Sequence, residues 1–350
     1  MDGLLIIDKP AGPTSHDVVA RMRRALGERR IGHTGTLDPA ATGVLPLVLG
    51  RATRLAQFLG ESDKSYEAIV RFGFATDTRD AQGQPVGDVR APALSRDEID
   101  AALEAFRGSF LQQPPAFSAK KIGGKRSHKL ARARARDAAG TAAARLEPSR
   151  DDRHDQRELH DLPDPAVPCV LPAPVCVTVH RIDVLRAEAD RVTLSIDCST
   201  GFYVRSLAHD LGERLGVGAH LVALRRTRVG DFTIDRALPL DRAERDRAQA
   251  AGAIVPMADV LPRLPAVTLT PDGVRRAVNG CDLGPRDTLT RSIDGPRAPE
   301  SRIPVPESRP ASPESRSEAL VRLLDPAGGL VGIARVDRAG GALHPRVILG

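Results

Sequence analysis

Apolar and polar residues alternate in short blocks through the first 60 residues. The apolar run 4–7 predicts a strand, which the prolines and glycines that follow it would end. Apolar residues recur at helical spacing over 18–26, and Ser15 is the expected N-cap of that helix. Residues 30–43 follow neither period and contain three glycines. We therefore expect a structured loop there, followed by a strand over 44–49.

The middle of the chain mixes strands and helices. Strict alternation over 66–74 predicts a half-buried strand, and Ser95-x-x-Glu98 is a capping box that predicts the start of a helix. Two further strands are expected at 175–185 and 192–198, before another helix. Because these elements lack a regular strand–helix–strand rhythm, the predicted fold class is α+β.

Two stretches interrupt this pattern. Residues 138–174 are rich in proline and polar residues and are expected to be a low-complexity insertion. Residues 291–318 contain Pro-Glu-Ser-Arg three times, and short apolar runs follow them. We predict a catalytic domain over 1–240, a connecting segment over 241–262, and a small β-rich C-terminal domain over 263–350 that carries the repeat.

Composition and charge narrow the class of protein. The 350 residues carry a formal charge of +6, and no run of 18 apolar residues occurs, so a membrane protein is not expected. The first ten residues lack the features of a secretory leader. The four cysteines are too few and too irregularly spaced for a disulfide framework or a Cys-x-x-Cys metal site. A cytoplasmic protein is the expectation.

The glycine-rich loop is the first candidate for chemistry. It matches neither a P-loop nor a dinucleotide-binding fingerprint. It does carry Asp38 before Pro39, with His33 five residues earlier. An Asp before a Pro is more often a turn residue than a catalyst, so both interpretations of Asp38 remain open at this point.

A basic segment is the second candidate. Residues 120–136 hold eight Lys or Arg and no acidic residue. Such a segment can neutralise several RNA phosphates, but a run of charge is also typical of a plain solvated face.

Four separated motifs together resemble one known family. They are Gly-Leu-Leu-Ile-Ile-Asp-Lys-Pro-x-Gly-x-Thr-Ser at 3–15, Gly-His-Thr-Gly-Thr-Leu-Asp-Pro-x-Ala-Thr-Gly-Val-Leu at 32–45, Lys-Ser-Tyr at 64–66 and Gly-Phe-Tyr-Val-Arg-Ser-Leu at 201–207. In this order they resemble bacterial tRNA pseudouridine-55 synthases, the TruB family. The resemblance implies a mixed, mainly antiparallel central sheet with flanking helices, and a small β-rich, PUA-like C-terminal domain.

The resemblance also implies an activity. Members convert the T-loop uridine at position 55 of tRNA into pseudouridine, by base flipping and an Asp-dependent rearrangement, without metal or redox cofactor. The partner implied is the T-arm of tRNA, with no membrane and no protein partner, and a monomer is expected. The residues implied as catalytic are Asp38, its pairing partner Arg205, the base-stacking Tyr66, and Tyr203.

Residues implied in substrate binding come from several motifs. His33 would fill the place of the flipped base, Leu224 would form the floor under it, and Lys9 and Pro10 would support the active-site loop. The remaining basic residues in this group are Lys120, Lys121, Arg225 and Arg226. Phe117 and His128 depart from the tyrosines that are usual in the family.

Two rival functions remain to be weighed. A tRNA-binding chaperone would not need a carboxylate in a cleft for a polyanion, because Asp38 would repel phosphate. A glycosidase with paired carboxylates needs a second acid, and none close to Asp38 or Arg205 in sequence stands out.

Overall fold

The computed structural model describes residues 1–90, 92–116, 121–122, 125–126, 172–292, 319–337 and 341–349. The strands in these residues are, in chain order, β1 Gly3–Lys9, β2 Ile31–His33, β3 Thr42–Leu49, β4 Lys64–Phe72, β5 Ala75–Thr76, β6 Pro85–Val86, β7 Gly108–Gln112, β8 Lys121–Ile122, β9 Lys125–Arg126, β10 Val175–Glu188, β11 Arg191–Cys198, β12 Ala219–Val229, β13 Phe232–Thr233, β14 Leu238–Pro239, β15 Ala266–Leu269, β16 Thr288–Ser292, β17 Leu320–Leu324, β18 Leu330–Val336 and β19 Leu343–Ile348. The helices are α1 Ser15–Leu26, α2 Ala56–Gly60, α3 Arg96–Leu103, α4 Val204–Arg214, α5 Leu240–Arg245, α6 Arg247–Gly252 and α7 Pro271–Val278.

The chain forms two compact units. One contains Met1–Ser62 together with Arg228–Gly350, and the other contains Asp63–Thr227. Each unit has its own apolar core.

In the first unit, β1 lies between β3 and β14. It pairs antiparallel with β3 along its whole length, from Gly3 opposite Leu49 to Lys9 opposite Gly43, and parallel with β14. The short strand β2 pairs with the far end of β3. The segment between β2 and β3 is therefore held at both ends by the same strand.

Helix α1 begins one residue earlier than its sequence pattern predicts. Its N-cap is Thr14, whose hydroxyl accepts from the N–H of Asp17, while the Asp17 carboxylate accepts from the N–H of Thr14. The prediction of Ser15 as N-cap was wrong because the Ser15 hydroxyl is buried and bonds to Leu37 instead. Gly27 ends α1 in a left-handed conformation, with φ of 65°.

The C-terminal part of this unit is β-rich, as predicted. Five strands form a sheet in the order β16-β15-β17-β18-β19, and β15 pairs parallel with β17. It has a small apolar core that includes Val267, Leu323 and Ala334. Gly273 of α7 lies so close to Asp287 that an added Cβ would be 2.1 Å from the Asp287 carbonyl oxygen.

In the second unit, strands β12, β4, β11, β10 and β7 are neighbours in that order. The predicted alternation of β4 is confirmed, since Tyr66, Ala68, Val70 and Phe72 are all buried. Antiparallel pairing with β11 places Tyr66 opposite Ile196. The helices α3 and α4 contribute buried apolar residues to the same core.

The capping box of α3 is confirmed, because Ser95 and Glu98 bond to each other's backbone N–H. The helix ends at Leu103, and a short 3-10 turn carries Phe106. A second 3-10 turn, Gly50–Leu55, leads directly into α2.

Several expectations lie outside the described residues. They concern Lys120, Phe117, His128, most of the basic segment 120–136, most of the insertion 138–174, and almost all of 291–318. Among the helices that the structure does describe, none is both long and apolar enough to cross a membrane.

Candidate active-site residues

Asp38 lies in the loop between β2 and β3, where it is partly buried. The loop leaves β2 through Thr34, whose N–H donates to the Pro46 carbonyl at 3.0 Å. Gly35 has a φ of 78°, a left-handed conformation that favours glycine. The Asp38 carbonyl then accepts from the N–H of Ala41 at 3.1 Å, which closes a turn around Pro39. Asp38 is thus both a turn residue and a carboxylate on a fixed loop.

Lys9, the last residue of β1, holds this loop through its side chain. Its side chain is 0 % exposed, and its Nζ donates to the carbonyl oxygens of Pro10 at 2.9 Å, Pro39 at 3.0 Å and Ala41 at 2.7 Å. Because three donors on one ammonium reach three carbonyls, Lys9 ties the segment that follows Asp38 to the end of β1. This burial gives Lys9 the supporting position that was expected beside the loop.

Ser15 fixes the other side of the loop. Its buried hydroxyl accepts from the N–H of Leu37 at 3.0 Å and lies 3.2 Å from the Leu37 carbonyl oxygen. The N–H of Gly12 donates to Pro39 at 2.9 Å. The residues on either side of Asp38 are thus held by side-chain or backbone bonds from the segment between β1 and α1.

His33 ends β2 and is partly exposed. Its ring packs edge-on against the ring of His16 on α1, with centroids 5.1 Å apart. Pro10 is exposed near the same loop.

In the second unit, Arg205 lies in the first turn of α4 and is 7 % exposed. Its Nη1 donates to the Thr78 carbonyl at 3.3 Å and lies 3.6 Å from Asp80 Oδ2. The Asp80 carboxylate and the Thr78 carbonyl thus hold the Arg205 guanidinium in one orientation.

Asp80 is itself held in place. Its Oδ1 accepts from the Thr78 hydroxyl at 2.6 Å and from the N–H of Gln82 at 3.0 Å. The backbone on either side of it bonds to Leu221 of β12. Sequence reasoning missed Asp80 because its partner Arg205 lies far away along the chain.

The backbone before Arg205 is held by Gln112 at the end of β7. Gln112 accepts from the N–H of Tyr203 at 2.8 Å and donates to the Tyr203 carbonyl at 3.0 Å. Arg79 has a φ of 63°, unusual for a residue other than glycine, and donates to the Ser206 hydroxyl at 2.9 Å. These bonds fix the start of α4 and the turn that carries Asp80.

Tyr66 and Arg226 form a buried pair in the same unit. Tyr66 on β4 is 7 % exposed and Arg226 on the neighbouring strand β12 is 1 % exposed. The Arg226 guanidinium donates a hydrogen bond to the Tyr66 side chain. We expected Arg226 to bind RNA, but its burial leaves almost no surface for a phosphate. Leu224 and Arg225 beside it are partly buried.

Lys64 lies two residues before Tyr66 and is also buried. Burial, and then the nearby charge of Arg226, lower the pKa of Lys64 to about 8. Lys121 belongs to β8, and its side chain lies outside the described part of the chain. Within the described residues, no group of three or more His, Cys, Asp or Glu is arranged to hold a metal ion.

Comparison with known proteins identifies the family. A model described as "TruB family pseudouridylate synthase (N terminal domain)" matches residues 23–143, and one described as "tRNA pseudouridylate synthase B C-terminal domain" matches residues 205–257. A protein of Solibacter usitatus named tRNA pseudouridine synthase B is 43 % identical over 285 residues, which cover 81 % of this chain and 86 % of that protein. The chain belongs to the TruB family of pseudouridylate synthases.

Other TruB proteins extend the match. A tRNA pseudouridine synthase B of Ralstonia nicotianae is 37 % identical over 341 residues, which cover 96 % of this chain and 93 % of that protein. One of Gloeobacter violaceus is 42 % identical over 283 residues, covering 80 % and 86 %. The family resemblance drawn from the four motifs is confirmed.

Solved structures show the fold. The chain of an archaeal box H/ACA sRNP Nop10-Cbf5 complex is 22 % identical and matches with a TM-score of 0.63, covering 99 % of this chain and 86 % of that one. A chain from an H/ACA RNP bound to a substrate RNA containing 2′-deoxyuridine matches with a TM-score of 0.62 at 23 % identity, covering 99 % and 85 %. The predicted α+β pseudouridine-synthase fold is confirmed.

Proposed function

We propose that this TruB-family chain isomerises the T-loop uridine at position 55 of tRNA to pseudouridine, using Asp38 and neither a metal nor a redox cofactor. The observation that carries the proposal is the Asp38 loop, which Lys9 and Ser15 hold from two sides. Relatives that share most of this chain are named tRNA pseudouridine synthase B.

The reaction explains why a fixed carboxylate is needed. The bond from N1 of uracil to C1′ of the ribose must break, the uracil must turn, and C5 must join C1′. A carboxylate serves such a reaction as a nucleophile or as the electrostatic partner of a developing cation. Because small displacements of a reacting group cost large factors in rate, a loop held by several hydrogen bonds is suited to carry it. Arg205, which contacts Asp80 and Thr78, is proposed as the cation that keeps the Asp38 carboxylate ionised.

A uridine stacked inside a folded T-loop is out of reach, so it must be flipped out at a cost of a few kcal/mol. His33, partly exposed at the end of β2, is proposed to fill the gap that the base leaves. Leu224 is proposed as the apolar floor under the base, while Arg225, Lys120 and Lys121 are proposed to contact phosphates.

Tyr66 is proposed to stack on the uracil and to take part in removal of the C5 proton. Tyr203 is proposed to line the same pocket, since its backbone is fixed by Gln112 directly before α4. Both assignments follow the positions of the two tyrosines in family motifs, and the chain contains no others.

The test is a comparison of wild type with Asp38→Asn on an unmodified tRNA transcript. The product is mapped chemically for pseudouridine, and tRNA binding is measured at two salt concentrations. We expect pseudouridine at the T-loop with wild type alone, and binding within a few-fold for the variant. Salt-sensitive binding without any pseudouridine from wild type would favour a tRNA chaperone instead.

The proposal includes the setting in which the protein works. We propose that it acts as a cytoplasmic monomer without a protein partner, with 1–240 as the catalytic domain, 241–262 as a connecting segment and 263–350 as a small β-rich, PUA-like domain. A molar mass near 37.4 kDa in light scattering of the purified protein is the expected result. A mass of twice that value would contradict the monomer.

A further inference from the structure

The pairing of Arg226 with Tyr66 suggests a role for Arg226 other than the RNA contact expected from the sequence. Both side chains are nearly inaccessible, on the adjacent strands β12 and β4. A fully buried arginine costs free energy unless its donors are matched, so its direction toward one phenol needs a reason. In the proposed reaction that phenol acts on C5 of the uracil.

We propose that Arg226 is a positioning residue for Tyr66, which holds the phenol oxygen in place and stabilises it as phenolate, so that Tyr66 is the base that removes the C5 proton. This inference rests on the proposed function and deepens it.

The step balances as follows. After C5 has joined C1′, the phenolate oxygen takes the proton from C5, and the C–H electron pair forms the C5=C6 double bond. The pair displaced from the C6=N1 bond then takes up a proton at N1. The Tyr66 phenol finally releases its proton to water, so the RNA gains and loses one proton and remains an isomer of the substrate.

The charges around the phenol favour this role. Burial lowers the pKa of Arg226, while the charge and the hydrogen bond of Tyr66 act in the opposite direction. An interaction that stabilises the guanidinium beside a phenolate stabilises the phenolate equally. Lys64 on β4 adds a second buried positive charge close to Arg226, and Asp63 and Cys198 are the groups of opposite effect on Lys64.

Burial alone would act against the phenolate. A phenol ordinarily titrates near a pH of about 10, and transfer into a poorly solvated site raises that value. Burial and the positive charge of Arg226 therefore predict opposite shifts of the Tyr66 phenol pKa. The role of Arg226 can be tested by titration of that phenol, without any reaction.

The first test measures the ionisation of Tyr66 by absorbance, which is possible because the chain has few aromatic chromophores. The chain has two tyrosines and no tryptophan, so Tyr203→Phe leaves Tyr66 as the only phenol. Its ionisation is read from the near-ultraviolet absorbance of phenolate, over the pH range in which circular dichroism stays constant. We expect a midpoint below about 10, and a rise of about one unit or more when Arg226→Gln is added. A midpoint above about 10 in the Tyr203→Phe protein would overturn the proposal even if the Arg226 variant does not fold.

The second test separates the proton step from binding. Single-turnover rates are measured on tRNA with protium or deuterium at C5 of the target uridine. We expect Arg226→Gln to slow the protium reaction about tenfold or more and to raise the isotope effect, because proton removal then limits the rate. Arg228→Gln, on the same strand and bonded to the Gly230 carbonyl, should leave the isotope effect unchanged.

A slower Arg226→Gln enzyme with an unchanged isotope effect and unchanged phenol titration would show a structural role only and contradict the proposal. Absence of turnover in wild type would instead refute the proposed function, while the phenol titration would still decide whether Arg226 stabilises a phenolate.

Discussion

Removal of the Lys9 ammonium tests whether the Asp38 loop is fixed in the way described. Lys9→Met keeps the length and apolar stem of the side chain but deletes all three donors. The carbonyls of Pro10, Pro39 and Ala41 then lose the donor that lies 2.7 to 3.0 Å away. The variant therefore perturbs the loop without touching Asp38 itself.

The expected loss of stability follows from two opposing effects. Hydrogen bonds from a charged group contribute about 1.5 to 3 kcal/mol each, so three of them would suggest about 5 to 9 kcal/mol. The variant also ends the burial of an ammonium, whose desolvation costs several kcal/mol. We expect a net decrease of about 2 to 4 kcal/mol in the free energy of unfolding. A loop that shifts by about 1 Å should lower the single-turnover rate by about 100-fold.

Urea unfolding followed by circular dichroism gives the stability, and tritium release from a 5-tritiated tRNA gives the rate. Arg24→Met, which removes an exposed cation from α1, serves as the control and should change neither by much. Lys9→Met with stability within about 0.5 kcal/mol of wild type and an unchanged rate would refute the account of the loop.

Two further predictions concern the second unit. Because the pKa of Lys64 is about 8 in the folded protein against 10.5 ordinarily, the unfolded chain binds more protons between these values. The free energy of unfolding should therefore rise with pH across that window, by up to about 2 to 3 kcal/mol. Urea unfolding at several pH values measures this rise, which should be smaller in Lys64→Met. The same pH dependence in both proteins would contradict the prediction. Gly212→Ala in α4 would place a Cβ 2.2 Å from the Ala219 nitrogen, so we expect a loss of about 1 to 3 kcal/mol. Gly60→Ala, where an added Cβ meets nothing within 4 Å, should cost far less, and equal unfolding midpoints for the two variants would refute the packing argument.

Local sequence patterns predicted strands and helix starts correctly where neighbouring residues in the sequence determine them. The alternation from Tyr66 and the capping box at Ser95 both depend on neighbours close in sequence, and both are confirmed. Ser15 shows the limit of the same reasoning. Its hydroxyl is suited to an N-cap, but a tertiary bond to Leu37 occupies it, and the adjacent Thr14 caps the helix.

The sequence motifs predicted the candidate catalytic residues, but not the residues that hold them in place. Asp38 and Arg205 stand in motifs that can be read directly, whereas Asp80 is recognisable only once the turn that carries it lies against α4. Arg226 was expected to bind the substrate because the family resemblance implies it together with its neighbours Leu224 and Arg225. In the structure Arg226 is buried on β12, whereas Arg225 stays partly exposed.

Tritium release from a tRNA transcript labelled at C5 of uridine, with wild type and Asp38→Asn compared under single-turnover conditions, tests whether Asp38 carries the reaction. We expect wild type to release one equivalent per tRNA and the variant none, although both bind the transcript with similar affinity. Release by Asp38→Asn at the wild-type rate would contradict the assignment of the reaction to Asp38.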